Sequence, residues 1–264
     1  MKKGLELTEL KQLKRYTNPN QKDVYAGAET EKKQSGMTFI ETGGLSFDFP
    51  RGGLIGDNYF VATEDCTIHK CRASLSAQYL ETYFGHNGPI YKIRCNPFWD
   101  NTECQVFLTC SYDWTVQVWH EEDSHRKLVC HQLSGDHELK AQVNDICWSP
   151  QTSSVFASVA NDGRIEVWDL KINALQPLLT HFDKVKNEEG EEVNVTTPRT
   201  IVKIGKFNPI IFTGNTLGQV TVYRTHGLEH EQVTEEDQIN RIMTAIAKDE
   251  FADDSKDKKK EGEE

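Results

Sequence analysis

Residues 83–170 contain one unit written twice. The first copy runs GHNGPIYKIRCNP and then QVFLTCSYDWTVQVW; the second runs KAQVNDICWSP and then SVFASVANDGRIEVWDL. Asp113 and Asp162 lie 49 residues apart, and so do Trp119 and Trp168. Each copy has an alternating strand, a turn marked by Pro, a β-branched strand, a tight turn containing Asp, and a third strand ending in Trp. TVQVW (115–119) and RIEVW (164–168) place alternate side chains on opposite faces. A unit of this kind cannot bury its apolar faces alone, so a chain built from it must stack its copies.

Two further copies extend the series. GLSFDFP (44–50), NYFVATEDCTIHKC (58–71) and QYLETYFGH (78–86) form an earlier unit whose Asp65 lies 48 residues before Asp113. IVKIGKFNP (201–209) and IIFTGNTLGQVTVY (210–223) form a later one, with Gly218 at the turn and Tyr223 in place of Trp. Trp168-Asp169 is a WD dipeptide and Trp119-His120 a degenerate one. The pattern resembles the WD40 repeat and predicts an all-β chain: a WD40 β-propeller with about four blades, over 41–83, 84–134, 135–182 and 199–234. Asp65, Asp113, Asp162 and Gly218 are expected at equivalent turns between the second and third strands.

The step from Gly163 to Gly218 is 55 residues, and the excess falls in DKVKNEEGEEVNVTTP (183–198), which reads as an exposed, solvated loop. Residues 1–40 read as the end of a preceding blade and a polar linker; LELTELKQLKRY (5–16) suits a short helix or a last strand. From Thr234 the character changes. Thr234 with Asp237 approximates a capping box, and Ile239, Ile242, Met243 and Ile246 recur at helical spacing. An amphipathic helix over 235–250 and a disordered charged tail are expected over 235–264.

A net charge of −11 argues against nucleic acid or an anionic membrane as the partner. The seven Cys show no metal-ligating spacing, and Cys95, Cys110 and Cys147 fall on predicted strands, as reduced thiols of an intracellular protein would. No apolar run is long enough to span a bilayer, and the N-terminus lacks a signal-peptide core. No phosphate loop, nucleophile elbow or metal cluster appears, so neither catalysis nor a cofactor is expected.

His86, Thr109, Asp113 and Trp119 fall where a blade of this type carries a hydrogen-bonded network. The set looks like a catalytic triad but is read as structural, because its members satisfy one another. Ser158, Asp162 and Trp168, with His137, form a looser second set. Trp114 sits in the turn beside Asp113, where it serves either partner contact or packing on the next blade. Tyr112, Arg164 and Leu217 are near-equivalent rim positions, weaker partner-binding candidates than Trp114. The face of Ile239, Ile242, Met243 and Ile246 docks either on its own propeller or on another chain.

KCRASLSAQYLETYFGHNGPIYKIRCNPF (70–98) and SYDWTVQVW (111–119) resemble more than a generic WD40 repeat. They are similar to the intermediate chains of axonemal dyneins, and RIEVWDLKINALQPL (164–178) and GQVTVY (218–223) continue the likeness. Within that family the chain most resembles the intermediate chain of the two-headed inner-arm dynein f; outer-arm intermediate chains share the Asp-Trp-Thr-Val turn. The resemblance covers residues 5–245 and implies the C-terminal part of a seven-bladed propeller. It implies a non-catalytic scaffold in the axoneme of a cilium or flagellum and in cytoplasm. The partners it implies are a heavy-chain tail and, within the complex, a second intermediate chain and light chains. Trp119-His120 and Gly205 depart from the family pattern and put blade regularity in doubt. The competing reading is a generic WD40 adaptor, such as a ubiquitin-ligase substrate receptor or an assembly factor.

Overall fold

A computed structural model of the chain describes residues 15–17, 38–40, 43–50, 58–74, 79–98, 105–121, 123–131, 141–187, 190–227 and 234–246; of 15–17, 38–40 and 123–131 it describes the backbone alone. The described residues form antiparallel sheets and one helix. β1 (Arg15–Thr17) pairs with β2 (Thr38–Ile40). The first four-stranded sheet orders β3 (Gly44–Asp48), β4 (Asn58–Thr63), β5 (Thr67–Arg72) and β6 (Glu81–Phe84). The second orders β7 (Ile90–Cys95), β8 (Val106–Ser111), β9 (Thr115–His120) and β10 (Asp123–His131). The third orders β11 (Val143–Trp148), β12 (Val155–Ala160), β13 (Ile165–Asp169) and β14 (Leu179–His181).

One expectation needs correcting here. The insertion carries a hairpin of its own, β15 (Lys184–Lys186) with β16 (Glu192–Asn194), and both its strands are exposed. Its valines pair with each other across the ladder, and Lys184 pairs with Glu192, so a charged segment still satisfies its backbone locally. The last sheet shows three strands rather than four among the described residues: β17 (Arg199–Ile204), β18 (Ile210–Asn215) and β19 (Val220–Arg224).

Burial explains why the middle strands lack a polar face. β8 and β12 are buried at every position, because each lies in a sheet covered on both sides. β19 alternates exposed and half-buried residues, because a neighbour covers only one of its faces. The sheets stack in chain order, as blades do. Phe60, Ile68 and Tyr83 of the first meet Ile93, Phe107 and Trp119 of the second. Leu108 and Val118 of the second meet Ile146, Phe156 and Trp168 of the third. Val159 and Val167 of the third meet Val202 and Ile211 of the fourth. The first strands of successive sheets lie side by side: Cys95 N–H donates to Asp48, and Val202 N–H donates to Asp145.

The helix, α1 (residues 235–246), starts on the capping box read from the sequence. Asp237 N–H donates to Thr234 Oγ1 at 3.3 Å and Thr234 O–H to Asp237 Oδ2 at 2.7 Å. The expected disordered tail lies outside the described residues.

Candidate functional site

Cross-strand register shows which turn positions are equivalent. The hairpins close on Ala62↔Ile68, Cys110↔Val116, Val159↔Ile165 and Gly214↔Val220. The third residue past each closure is Asp65, Asp113, Asp162 and Leu217. Gly218 therefore sits one position later than expected, and Leu217 holds the place of Asp. The fourth residue is left-handed in every turn: Cys66 at φ 65°, Trp114 at 70°, Gly163 at 88° and Gly218 at 78°. Glycine takes this conformation freely, whereas a bulky side chain is strained there by about 1–3 kcal/mol.

In the second sheet the turn carboxylate anchors a continuous chain of hydrogen bonds. Trp119 Nε1–H donates to Thr109 Oγ1 at 2.7 Å, and Thr109 lies 2.7 Å from His86 Nε2. His86 Nδ1 lies 2.8 Å from Asp113 Oδ2. Asn87 N–H, Thr115 N–H and the Thr115 hydroxyl donate to the same carboxylate. Burial raises the Asp113 carboxyl, but His86 and the Asn87 and Thr115 donors outweigh it and hold the group at about 2. Both ring nitrogens of His86 are occupied, so the set has no free base to offer a substrate.

The third sheet solves the same problem differently. Ser158, Asp162 and Trp168 occupy the corresponding places, but the Ser158 hydroxyl turns to Glu166 Oε2 at 3.4 Å. Arg164 bridges Asp162 Oδ2 at 3.1 Å and Glu166 Oε1 at 3.6 Å. Burial pushes the Glu166 carboxyl up to about 7, against the opposing pull of Arg164 and with help from Asp162. His137 lies outside the described residues. Arg164 is fully buried, so the reading of it as a rim contact does not hold; its guanidinium is committed to Asp162 and Glu166.

The other rim candidates are at the surface. Tyr112 is 53% exposed, Trp114 43% and Leu217 71%. The β15–β16 hairpin lies on the same rim, because the carbonyl oxygens of Val195 and Thr197 beside it occupy the space that a Cβ at Gly163 would take. Its base is tied by Arg199, which donates to Asp183, Thr213 Oγ1, Tyr223 Oη and Gly163 O.

The helix candidates are not at a free surface. Ile242 and Ile246 are buried and Ile239 partly so, all on the seam between the second and third sheets, while Met243 is 37% exposed. In this structure the stripe packs on the chain's own sheets. Sequence reading missed Glu166, Asp169 and Arg241. Strand alternation puts Asp162, Arg164 and Glu166 on one face, which was the available signal for the first; nothing local links Asp169 to Arg241. Among the described residues no three His, Cys, Asp or Glu side chains are placed to hold a metal, and no helix is long and apolar enough to cross a membrane.

Residues 77–120 and 128–169 match the family described as WD domain, G-beta repeat. Dynein axonemal intermediate chain 4 of Mus musculus is 35% identical over 247 residues, covering 92% of this chain and 27% of that protein. Its Homo sapiens counterpart is 35% identical over 229 residues, covering 86% and 24%. The chain is a WD40-repeat homologue of the axonemal dynein intermediate chains. A more distant intermediate chain, the 78 kDa one of the flagellar outer arm of Chlamydomonas reinhardtii, is 28% identical over 201 residues, covering 75% of this homologue and 26% of that chain. The homologue spans about a quarter of the length of the curated intermediate chains it matches. The crystal structure of the computationally designed Ika4 protein superposes with a TM-score of 0.50 at 19% identity, over 75% of this chain and 96% of that one, a likeness of fold alone.

Proposed function

We propose that this chain is a non-catalytic scaffold subunit of an axonemal dynein. Its turn rim grips the tail of a heavy chain and helps to fix the motor on the doublet microtubule, while ATP hydrolysis belongs to the heavy chain. In this reading it resides in the axoneme of a cilium or flagellum, and in cytoplasm before assembly, beside a second intermediate chain and light chains. The observation that carries the reading is the 35% identity to dynein intermediate chains over 92% of the chain.

The site chemistry supports a gripping role. His86, Thr109 and Asp113 are consumed by one another and by Trp119, and Trp114 beside them is 43% exposed in a strained turn. Strain of that kind persists where the side chain is used, and a half-exposed Trp offers a large apolar area with little rotamer entropy to lose. Affinity purification of the tagged chain from ciliated cells tests the reading. Dynein heavy chains should be recovered at near-equal molar amount. Ubiquitin-ligase or assembly machinery in their place would replace it with the adaptor reading.

A further inference from the structure

Strand register gives every seam between successive sheets the same two halves. On the first strands, Ile93, Ile146 and Val202 pair with Thr109, Ser158 and Thr213, each one residue before its hairpin closure. All three are fully buried against the preceding sheet. Phe47 holds the same place in the first sheet, paired with Val61, and is 63% exposed. The other half of the seam is equally regular. Leu108 pairs with Val118 and Ala157 with Val167, and in each case the next sheet covers the pair. Phe212 and Val222 are the equivalent pair of the fourth sheet, and they are 38% and 54% exposed. The first sheet therefore presents one half of a seam to solvent, and the fourth sheet presents the complementary half.

We propose that a second copy of this chain covers both faces. The fourth sheet of each copy stacks on the first sheet of the other, head to tail, in a two-fold ring of eight sheets. Three observations favour this occupant. The contact repeats the seam that already joins the chain's own sheets, with Phe47 entering where Ile93, Ile146 and Val202 enter theirs. A head-to-tail contact leaves a free end on any open array, and a two-fold ring removes both ends at once; eight sheets lie within the range of closed propellers. The length of the arc also fits. It superposes on 96% of the designed Ika4 chain and on 47% of the designed Ika8 chain, each with a TM-score of 0.50 and 19% identity. The same arc thus fills nearly all of one fold neighbour and about half of another. The turn rim stays open in such a ring, so this inference is independent of the heavy-chain reading.

The test is analytical ultracentrifugation of the whole chain and of two variants, Phe47→Asp and Val222→Asp. The unaltered chain should be a dimer with no larger species as concentration rises, because a closed ring has no free face. Each variant alters both seams of its own dimer, so its dissociation constant should rise at least about tenfold. Mixed in equal amounts, the two variants should regain a dimer, weaker than the unaltered one. In the mixed ring one seam carries both changes and the other carries neither. A dimer made by pairing like faces cannot behave this way, because one of the two variants would then associate normally by itself. Should an Asp variant fail to fold, Phe47→Gln and Val222→Gln carry the same test. A monomer at every concentration, as when another segment of the chain covers the faces, overturns the proposal. So does growth beyond the dimer, an undiminished dimer in either variant, or no rescue on mixing.

Discussion

Arg164 Nε lies 3.1 Å from Asp162 Oδ2, so the third sheet supplies the cation for its turn carboxylate from two residues further along the same turn. The second sheet brings His86 from the preceding loop into hydrogen-bond distance of Asp113 instead. The two solutions fix the same turn with different chemistry, and they titrate differently.

Asp113→Ala should destabilise the fold by about 1–3 kcal/mol, because His86 and the Asn87 and Thr115 donors lose a buried acceptor. The carboxyl sits at about 2, below its ordinary 3.8, so its contribution is present above 3.8 and is lost as pH falls through 2. Urea unfolding of the variant at neutral pH checks the size; unchanged stability would contradict the structural role of the network.

Glu166 has the opposite sign. Its folded value of about 7 exceeds the ordinary 4.5, so the folded state holds a proton that the unfolded state has released. Stability linked to this group is present below 4.5 and falls as pH rises through 7, by roughly 3 kcal/mol over the window. Comparing unfolding free energies at pH 5 and 8 for the chain and for Glu166→Gln isolates the effect. The variant should have the flatter profile, and equal slopes would refute the assignment.

Trp114→Gly should raise stability by about 1 kcal/mol, since Gly163 and Gly218 already serve the equivalent left-handed position. Chemical denaturation reads this directly. A loss of stability would mean that the indole packs more than it strains.

The turn residues of the first three sheets were legible in the sequence because an Asp marks a fixed place in a fixed period; the fourth turn carries Leu217 there, and without the Asp its register was read one position late. Arg164 was misread for a physical reason. A charged residue at a turn exit looks solvent-facing, but Arg164 is buried here, with its guanidinium between Asp162 and Glu166. The apolar stripe of α1 showed that Ile242 and Ile246 needed cover; it held no information on which surface supplied it. That information lies in Asp169, 72 residues away from Arg241.

The outer faces of the first and last sheets expose Phe47 and Phe49 at one end and Ile201, Val220 and Val222 at the other. Apolar sheet faces of this kind associate. Sedimentation across a concentration series should show self-association of the isolated chain, relieved by Phe47→Asp with Val222→Asp. A monodisperse, cooperatively unfolding monomer would show that the described sheets suffice alone.

The central claim is that the turn rim holds a dynein heavy chain through Trp114. Its most direct test is the affinity of a purified heavy-chain tail for the chain and for folded Trp114→Gly. The account predicts a loss of about 2 kcal/mol or more, the scale of an interface hot spot, alongside an intact or stabilised fold. Undiminished affinity in the folded variant would contradict it and remove Trp114 from the interface.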